Sequence, residues 1–161
     1  MLQRTIDFVA ANPECFERSL LTGHITGSAW VLDSARDNAL LVFHRKLGKW
    51  LQPGGHTDGS ADVLAAALRE VKEETGLTAT PLSAEIFDVD AHEIPARGTE
   101  PAHIHYDVRF LVEAPRHGRI VVSPESRAVE WVRLGDIASR NTDDSVLRMV
   151  ERTRARFKVS L

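Results

Sequence analysis

Three glutamates crowded into the last turn of one short helix constrain this chain more than any other feature. Residues 54–77 read Gly-Gly-His-Thr-Asp-Gly-Ser-Ala-Asp-Val-Leu-Ala-Ala-Ala-Leu-Arg-Glu-Val-Lys-Glu-Glu-Thr-Gly-Leu. Turn-forming residues open the stretch, and residues 60–75 then pattern as a helix. Its Leu64, Leu68 and Val71 recur at i, i+4, i+7 and predict a face packed on a sheet. At about 100° per residue, Glu73 and Glu74 fall within roughly 60° of Glu70, so the three carboxylates share the other face. That placement is unfavourable by itself. A helix C-terminus carries partial negative charge, and like charges one turn apart repel by about 0.2–0.5 kcal/mol. Gly76-Leu77 predicts a left-handed cap with its hydrophobic contact, which ends the helix there. A hard divalent cation would offset the repulsion, and oxygen ligands without nearby cysteine favour magnesium or manganese over zinc.

The same stretch resembles the Nudix box, in which a glycine precedes, at fixed spacing, the string Arg-Glu-U-x-Glu-Glu-x-Gly-U, with U a bulky aliphatic residue. Here Gly55 is followed in register by Arg69-Glu70-Val71-Lys72-Glu73-Glu74-Thr75-Gly76-Leu77. One position departs: the early glutamate of the box falls on Ala61, with Asp62 one place later. Asp62 either reaches along the helical face to Arg69 or caps the helix start. The resemblance implies Glu70 and Glu74 as principal metal ligands, with Glu73 serving a further metal. A backbone carbonyl at Gly55 would complete the shell, and Arg69 would hold a neighbouring carboxylate in place. Family members also carry a late-loop glutamate that binds metal or acts as general base. Glu125, in Ser-Pro-Glu-Ser-Arg ahead of Glu130-Trp131, is the candidate. The candidate catalytic residues are therefore Glu73, Glu125 and Arg69, and the metal ligands Glu70, Glu73, Glu74 and Gly55. The implied cofactor is Mg²⁺, with Mn²⁺ as its substitute.

The remainder of the chain is consistent with a single domain over residues 1–161 with a core of its own. Hydrophobic residues make up 43% and charged residues 27%, as in an ordinary soluble globule. A net charge of −3 argues against a general binder of nucleic acid or of acidic membranes. Cys15 is alone, so no internal disulfide forms and a cytoplasmic location is expected. No apolar run approaches a membrane span, and Asp7 and Glu14 interrupt the apolar core that a secretory signal would need.

Residues 3–19 pattern as helix, broken near Asn12-Pro13, in an N-terminal extension of about 20 residues. Ile6, Phe8, Val9 and Phe16 are its candidate core contacts. Residues 25–32 and 39–45 pattern as a strand pair around the turn 33–38, and 50–59 as a Pro/Gly-rich loop. Residues 82–93 read as a strand, 94–102 as a mobile polar loop, and 128–134 as a further strand. On the strand 103–112, Ile104, Tyr106, Val108 and Phe110 alternate with His103, His105, Asp107 and Arg109. Thr142 or Asp143 caps a last helix over about 143–158, with Val146, Met149, Val150, Thr153 and Phe157 as its apolar stripe. Its Arg148, Arg152, Arg154, Arg156 and Lys158 form a solvated outer face. Mixed strands and helices predict an α/β/α sandwich with a mixed central sheet, and the Nudix resemblance implies the same fold.

His56 and Asp58, inside the box loop, are candidates to touch substrate phosphates. His103 and His105 share a strand face with Asp107. His-x-His is a zinc or nickel ligand pattern, but the sequence offers no further ligand beside it. A substrate-facing polar pocket and plain exposure are the two readings left. Trp50 and Trp131 read as core or rim. The resemblance implies a divalent-metal-dependent pyrophosphohydrolase that cleaves a nucleoside diphosphate linked to another moiety. The alternative is a Nudix-like module that binds a nucleotide without cleaving it. Such modules commonly have eroded glutamates, whereas all three are intact here. Isoprenoid diphosphate isomerase chemistry would need a catalytic cysteine near the pocket, and Cys15 falls in the N-terminal helical segment. The expected partner is a small-molecule diphosphate, and homodimers are frequent in the family.

Overall fold

Every residue of β1 (Gly23–Leu32) is buried, and a strand buried on both faces belongs inside a sheet. In the computed structural model, which describes residues 1–158, its partner along the whole length is β6 (His103–Glu113). The pairing is parallel, from Gly23 beside Ile104 to Leu32 beside Glu113. The last three residues of the expected 1–161 unit lie outside the described residues. Around this pair, β2 (Asn38–His44), β3 (Lys49–Leu51) and β5 (Thr80–Ile94) complete the order β3-β2-β1-β6-β5. β4 (Gly54–His56) pairs with β1, and β7 (Ser126–Arg133) with β2, giving a seven-stranded mixed sheet.

The expected pairing of residues 25–32 with 39–45 holds only at its turn end, where Leu32 meets Ala39. Beyond that point β4 occupies the edge of β1 at Thr26–Ser28, so β2 diverges and pairs along its length with β7. The Asp33 carboxylate fixes the turn, accepting from the backbone of Asp37 and Asn38 and from the Asn38 side chain. Of residues 94–102, expected as a mobile loop, Ile94 ends β5, and the rest connect β5 to β6 through a turn in which Arg97 and Glu100 exchange backbone hydrogen bonds of 2.8 and 2.9 Å.

Helices cover both faces. α2 (Val63–Thr75) places Ala67 and Val71 in a core with Ile25, Ala29, Val31, Tyr106, Phe110 and Val112. α3 (Asp144–Phe157) places Val146, Met149 and Val150 in a second core with Trp30, Leu32 and Leu111. The result is an α/β/α sandwich. Asp143 caps α3, accepting from the Ser145 and Val146 amides. Trp30 and Thr153 are both fully buried, and the indole donates to the Thr153 hydroxyl at 2.8 Å. At the N-terminus α1 (Leu2–Ala11) stops at Asn12, whose extended backbone is what the following Pro13 favours. The helix expected over residues 3–19 is thus shorter, and Cys15 lies buried in the turn after it. Phe8 stacks on Tyr106 with ring centroids 4.0 Å apart, and Phe16 packs on the first core. Ile6 and Val9, expected as core contacts, face outward instead. Among the described residues no helix is long and apolar enough to cross a membrane.

The α3 side of the sheet is apolar at one end and polar at the other. His24, Thr26 and Ser28 of β1 stand beside His105, Asp107 and Arg109 of β6, and these beside His92, Asp90 and Asp88 of β5. The basic side chains of α3 do not all face solvent as expected. Arg148 reaches Asp88 at 2.7 Å and Asp90 at 3.0 Å, and Arg152 reaches Asp88 at 3.0 Å. Arg109, only 2% exposed, donates to Asp107 at 2.7 Å and lies within 3.5 and 3.6 Å of Asp88 and Asp90. Three carboxylates and three guanidiniums therefore balance. Breaking such a buried set from one side leaves uncompensated charge, which costs about 3–5 kcal/mol. An exposed pair is worth about 0–1 kcal/mol. Arg109→Met is expected to lose the larger amount in urea denaturation. Arg152→Ala, at a side chain 52% exposed, is expected to lose the smaller. Similar small losses for both would show that the aspartates do not depend on Arg109.

Candidate functional site

β4 is three residues long, and its alternation decides what lies on either side of it. Gly55 pairs with Gly27 of β1 and faces α2. A methyl group at Gly55 would come within 2.6 Å of the Glu70 carboxyl carbon, and one at Gly27 within 2.8 Å of the Val63 carbonyl oxygen. Only glycine at both positions lets the helix and its carboxylate lie directly on the strands. α2 begins at Asp62, whose carboxylate accepts from the Ala65 amide at 3.0 Å. It ends at Gly76, where φ is 74°, with Leu77 buried beneath it. Of the two possible roles for Asp62, the geometry is that of the cap.

Glu74 is 7% exposed, and its carboxylate accepts a single hydrogen bond of 2.9 Å from the Gly54 amide. Burial, and then repulsion from Glu70, Glu125 and Glu73, pushes its pKa from 4.5 up to about 7 despite that bond. Burial also raises Glu70, against the hydrogen bond it receives from Arg69. Two carboxylates driven together against a glycine strand, with their charge opposed by burial, fit a hard divalent cation. Glu125 precedes β7, within electrostatic reach of Glu74. The Glu73 side chain is 61% exposed and lies 3.7 Å from Arg69.

Arg69 takes the bracing role that the missing box glutamate would otherwise share. It donates to the His56 carbonyl at 2.7 Å, to Asp58 at 3.1 Å and to Glu70 at 3.2 Å. Asp58, expected to meet substrate, is thus held by Arg69, in a positive-φ turn at 51°.

His56 points to the opposite face of the sheet from Glu70. There its ring meets those of His24 and His105, with centroids about 5 Å apart. Burial lowers the pKa of all three, that of His56 to about 4. His103 is 6% exposed and stacks on His24, so plain exposure does not describe it. Asp107 is not free to take part, because Thr26, Ser28 and Arg109 all donate to it. Sequence reasoning missed His24. The signal was there in β1, where His24, Thr26 and Ser28 alternate with Ile25, Gly27 and Ala29 and mark a polar half-face.

A match to the NUDIX domain spans residues 24–152. A Lactococcus lactis subsp. cremoris protein named "Probable DHNTP pyrophosphohydrolase" is 34% identical over 88 residues, 53% of this chain and 52% of that protein. The match therefore takes in about half the length of that relative. Among solved structures, a NUDIX-family hydrolase from Clostridium perfringens superimposes with a TM-score of 0.66 at 21% identity, covering 82% of this chain and 97% of that one. The dihydroneopterin triphosphate pyrophosphohydrolase of E. coli gives 0.63 at 19% identity, covering 80% and 92%. Both likenesses concern the fold. With the domain match running from β1 into α3, over both core faces and the glutamate helix between them, this chain belongs to the NUDIX family.

Proposed function

We propose that the protein is a divalent-metal-dependent pyrophosphohydrolase acting on a small molecule that carries a phosphoanhydride. The observation that carries this is the pair of buried Glu74 and half-buried Glu70 pressed on the Gly54–Gly55 strand. A cation held by Glu70, Glu74 and the Gly55 carbonyl would neutralise diphosphate charge and lower the pKa of a bound water. The protein's own groups do the rest. Arg69 fixes Glu70 and the β4 carbonyl relative to one another, which sets the spacing of the site. Glu125 acts electrostatically on Glu74, which supports it as the group that accepts the proton of the attacking water. Water oxygen bonds to phosphorus as the bridging P–O bond breaks and the leaving phosphate departs. Glu73, half in solvent beside Arg69, supports a role at a further metal or at the rim. The names of the Lactococcus relative and the E. coli enzyme put dihydroneopterin triphosphate first among substrates to try, beside nucleoside diphosphates linked to other groups.

Hydrolysis across such a panel is expected to require Mg²⁺ or Mn²⁺ and to stop with excess EDTA. Full turnover in EDTA would overturn the metal-dependent reading. Tight nucleotide binding without product over hours would instead mark a non-catalytic module.

Glu74→Gln is expected to lower turnover by more than about a hundredfold, beyond the 10–100-fold typical of residues that only support a ligand. Its stability should move the other way. A carboxyl whose folded pKa is raised binds its proton more tightly when folded, so its penalty is absent below the ordinary 4.5, grows as pH rises from there to about 7, and is full above that. The metal-free variant should therefore melt above wild type near pH 8, by up to about 3 kcal/mol, and match it near pH 4. Melting curves at the two pH values check this, and a variant less stable at pH 8 would show that Glu74 is not strained.

Asp62→Asn should leave turnover and melting unchanged, because asparagine caps about as well. Arg69→Ala should reduce turnover at least about tenfold, since it removes the one nitrogen, Nη2, that reaches the His56 carbonyl, Asp58 and Glu70. Reduced turnover in Asp62→Asn would return the brace to Asp62.

A further inference from the structure

Five histidines, His24, His56, His92, His103 and His105, gather at the polar end of the α3 face, separated from Glu70 by the backbone of β4. They come from four strands. The parallel register sets His24 beside His105, and the pairing of Thr26 with His56 brings the third ring onto the same face. His24 is 2% exposed, and among the described residues neither ring nitrogen makes a hydrogen bond of good geometry, the Leu20 backbone being the one group near enough to act on it. An orphaned buried polar atom costs about 1–3 kcal/mol, so a buried imidazole without a well-made bond needs an account.

We propose that His24, His56 and His105 form a binding site for a borderline divalent transition cation of the zinc class, separate from the carboxylate site. One ligand atom from each lies within 4.8 Å of the other two. A point between atoms so spaced is at most about 2.8 Å from each, against about 2.0–2.1 Å for a Zn–N bond, so a small inward rotation of the rings closes the shell. The ligands are all nitrogen, which selects against Mg²⁺ and Ca²⁺.

The surrounding bonds orient the ligands. His103 Nδ1 lies 2.9 Å from the Pro101 carbonyl, which can only accept, so that nitrogen carries the proton. In the neutral ring Nε2 of His103 is then the acceptor for His105 Nε2–H, 3.2 Å away. His105 is left with a bare Nδ1 as its lone-pair donor. This carbonyl–His–His relay is the support that metal-bound imidazoles usually have. His56 and His105 are only partly buried, so a cation can reach the cluster from outside. Three protein nitrogens leave the fourth tetrahedral position to water or to an atom of a bound molecule.

The test uses the untagged full chain in millimolar Mg²⁺, titrated with Co²⁺ and, in competition with a chromophoric chelator, with Zn²⁺. One equivalent per chain is expected, at micromolar affinity or tighter, with the intense visible bands of tetrahedral Co²⁺. His24→Ala and His105→Ala should each weaken Zn²⁺ at least about tenfold. Glu74→Gln should bind as wild type does, which separates this site from the one proposed for hydrolysis. No Zn²⁺ binding, binding that survives both histidine changes, or binding lost with Glu74→Gln would each overturn the proposal. Should either alanine variant fail to fold, His56→Gln on the short β4 strand takes its place, with the wild-type Co²⁺ spectrum beside it. Unweakened Zn²⁺ binding in His56→Gln would overturn the proposal equally.

Discussion

The parallel pairing of β1 with β6 is the constraint from which the rest of this structure follows. Parallel neighbours need a long crossover, and here everything from β2 through β5 is that crossover. Because side chains alternate along both strands in the same phase, the pair sorts its residues by face. Ile25, Ala29, Tyr106 and Phe110 go to α2, and His24, Thr26, Ser28, His105, Asp107 and Arg109 go to the other side. A slip of one residue would send the aspartates and histidines into the apolar core, which fixes the register firmly.

Two clusters of acid lie on this framework, and the protein treats them differently. Asp88, Asp90 and Asp107 are matched by Arg109, Arg148 and Arg152, so their charges are settled within the fold. Glu70 and Glu74 have one guanidinium between them, Arg69, and it is also engaged by His56 and Asp58. The unmatched pair is the one on the family's helix. Buried acid that the fold could have neutralised and did not is the physical signature of a site, whereas the neutralised set reads as architecture.

Much of this was legible in the amino-acid order because it is local. The cap at Asp62, the stop at Gly76 and the shared face of the glutamates depend on residues within a few turns of one another. The apolar stripe of α3 was legible for the same reason. What escaped were consequences of distant pairing. Arg148 looked like a solvated surface residue because nothing near it in sequence indicates that Asp88 lies beneath it. His105 showed no ligand partners because His24 and His56 come to it from other strands, His24 from the far side of the crossover. The divergence of residues 25–32 from 39–45 was hidden because β4, a three-residue strand inside a glycine-rich loop, is too short to show a period.

That short strand is where the two proposed chemistries meet. Gly55 and His56 are adjacent, and successive residues of a strand point to opposite faces. One position therefore supplies the bare backbone on which Glu70 rests, and the next supplies an imidazole to the histidine cluster. Arg69 ties the two together by holding both the His56 carbonyl and Glu70. Any shift of β4 along β1 would disturb both sites at once, whereas a rotation of the His56 ring alone would disturb only one. The sites are thus separate in ligand chemistry, oxygen on one face and nitrogen on the other, yet share a backbone held by its pairing with β1 and by Arg69.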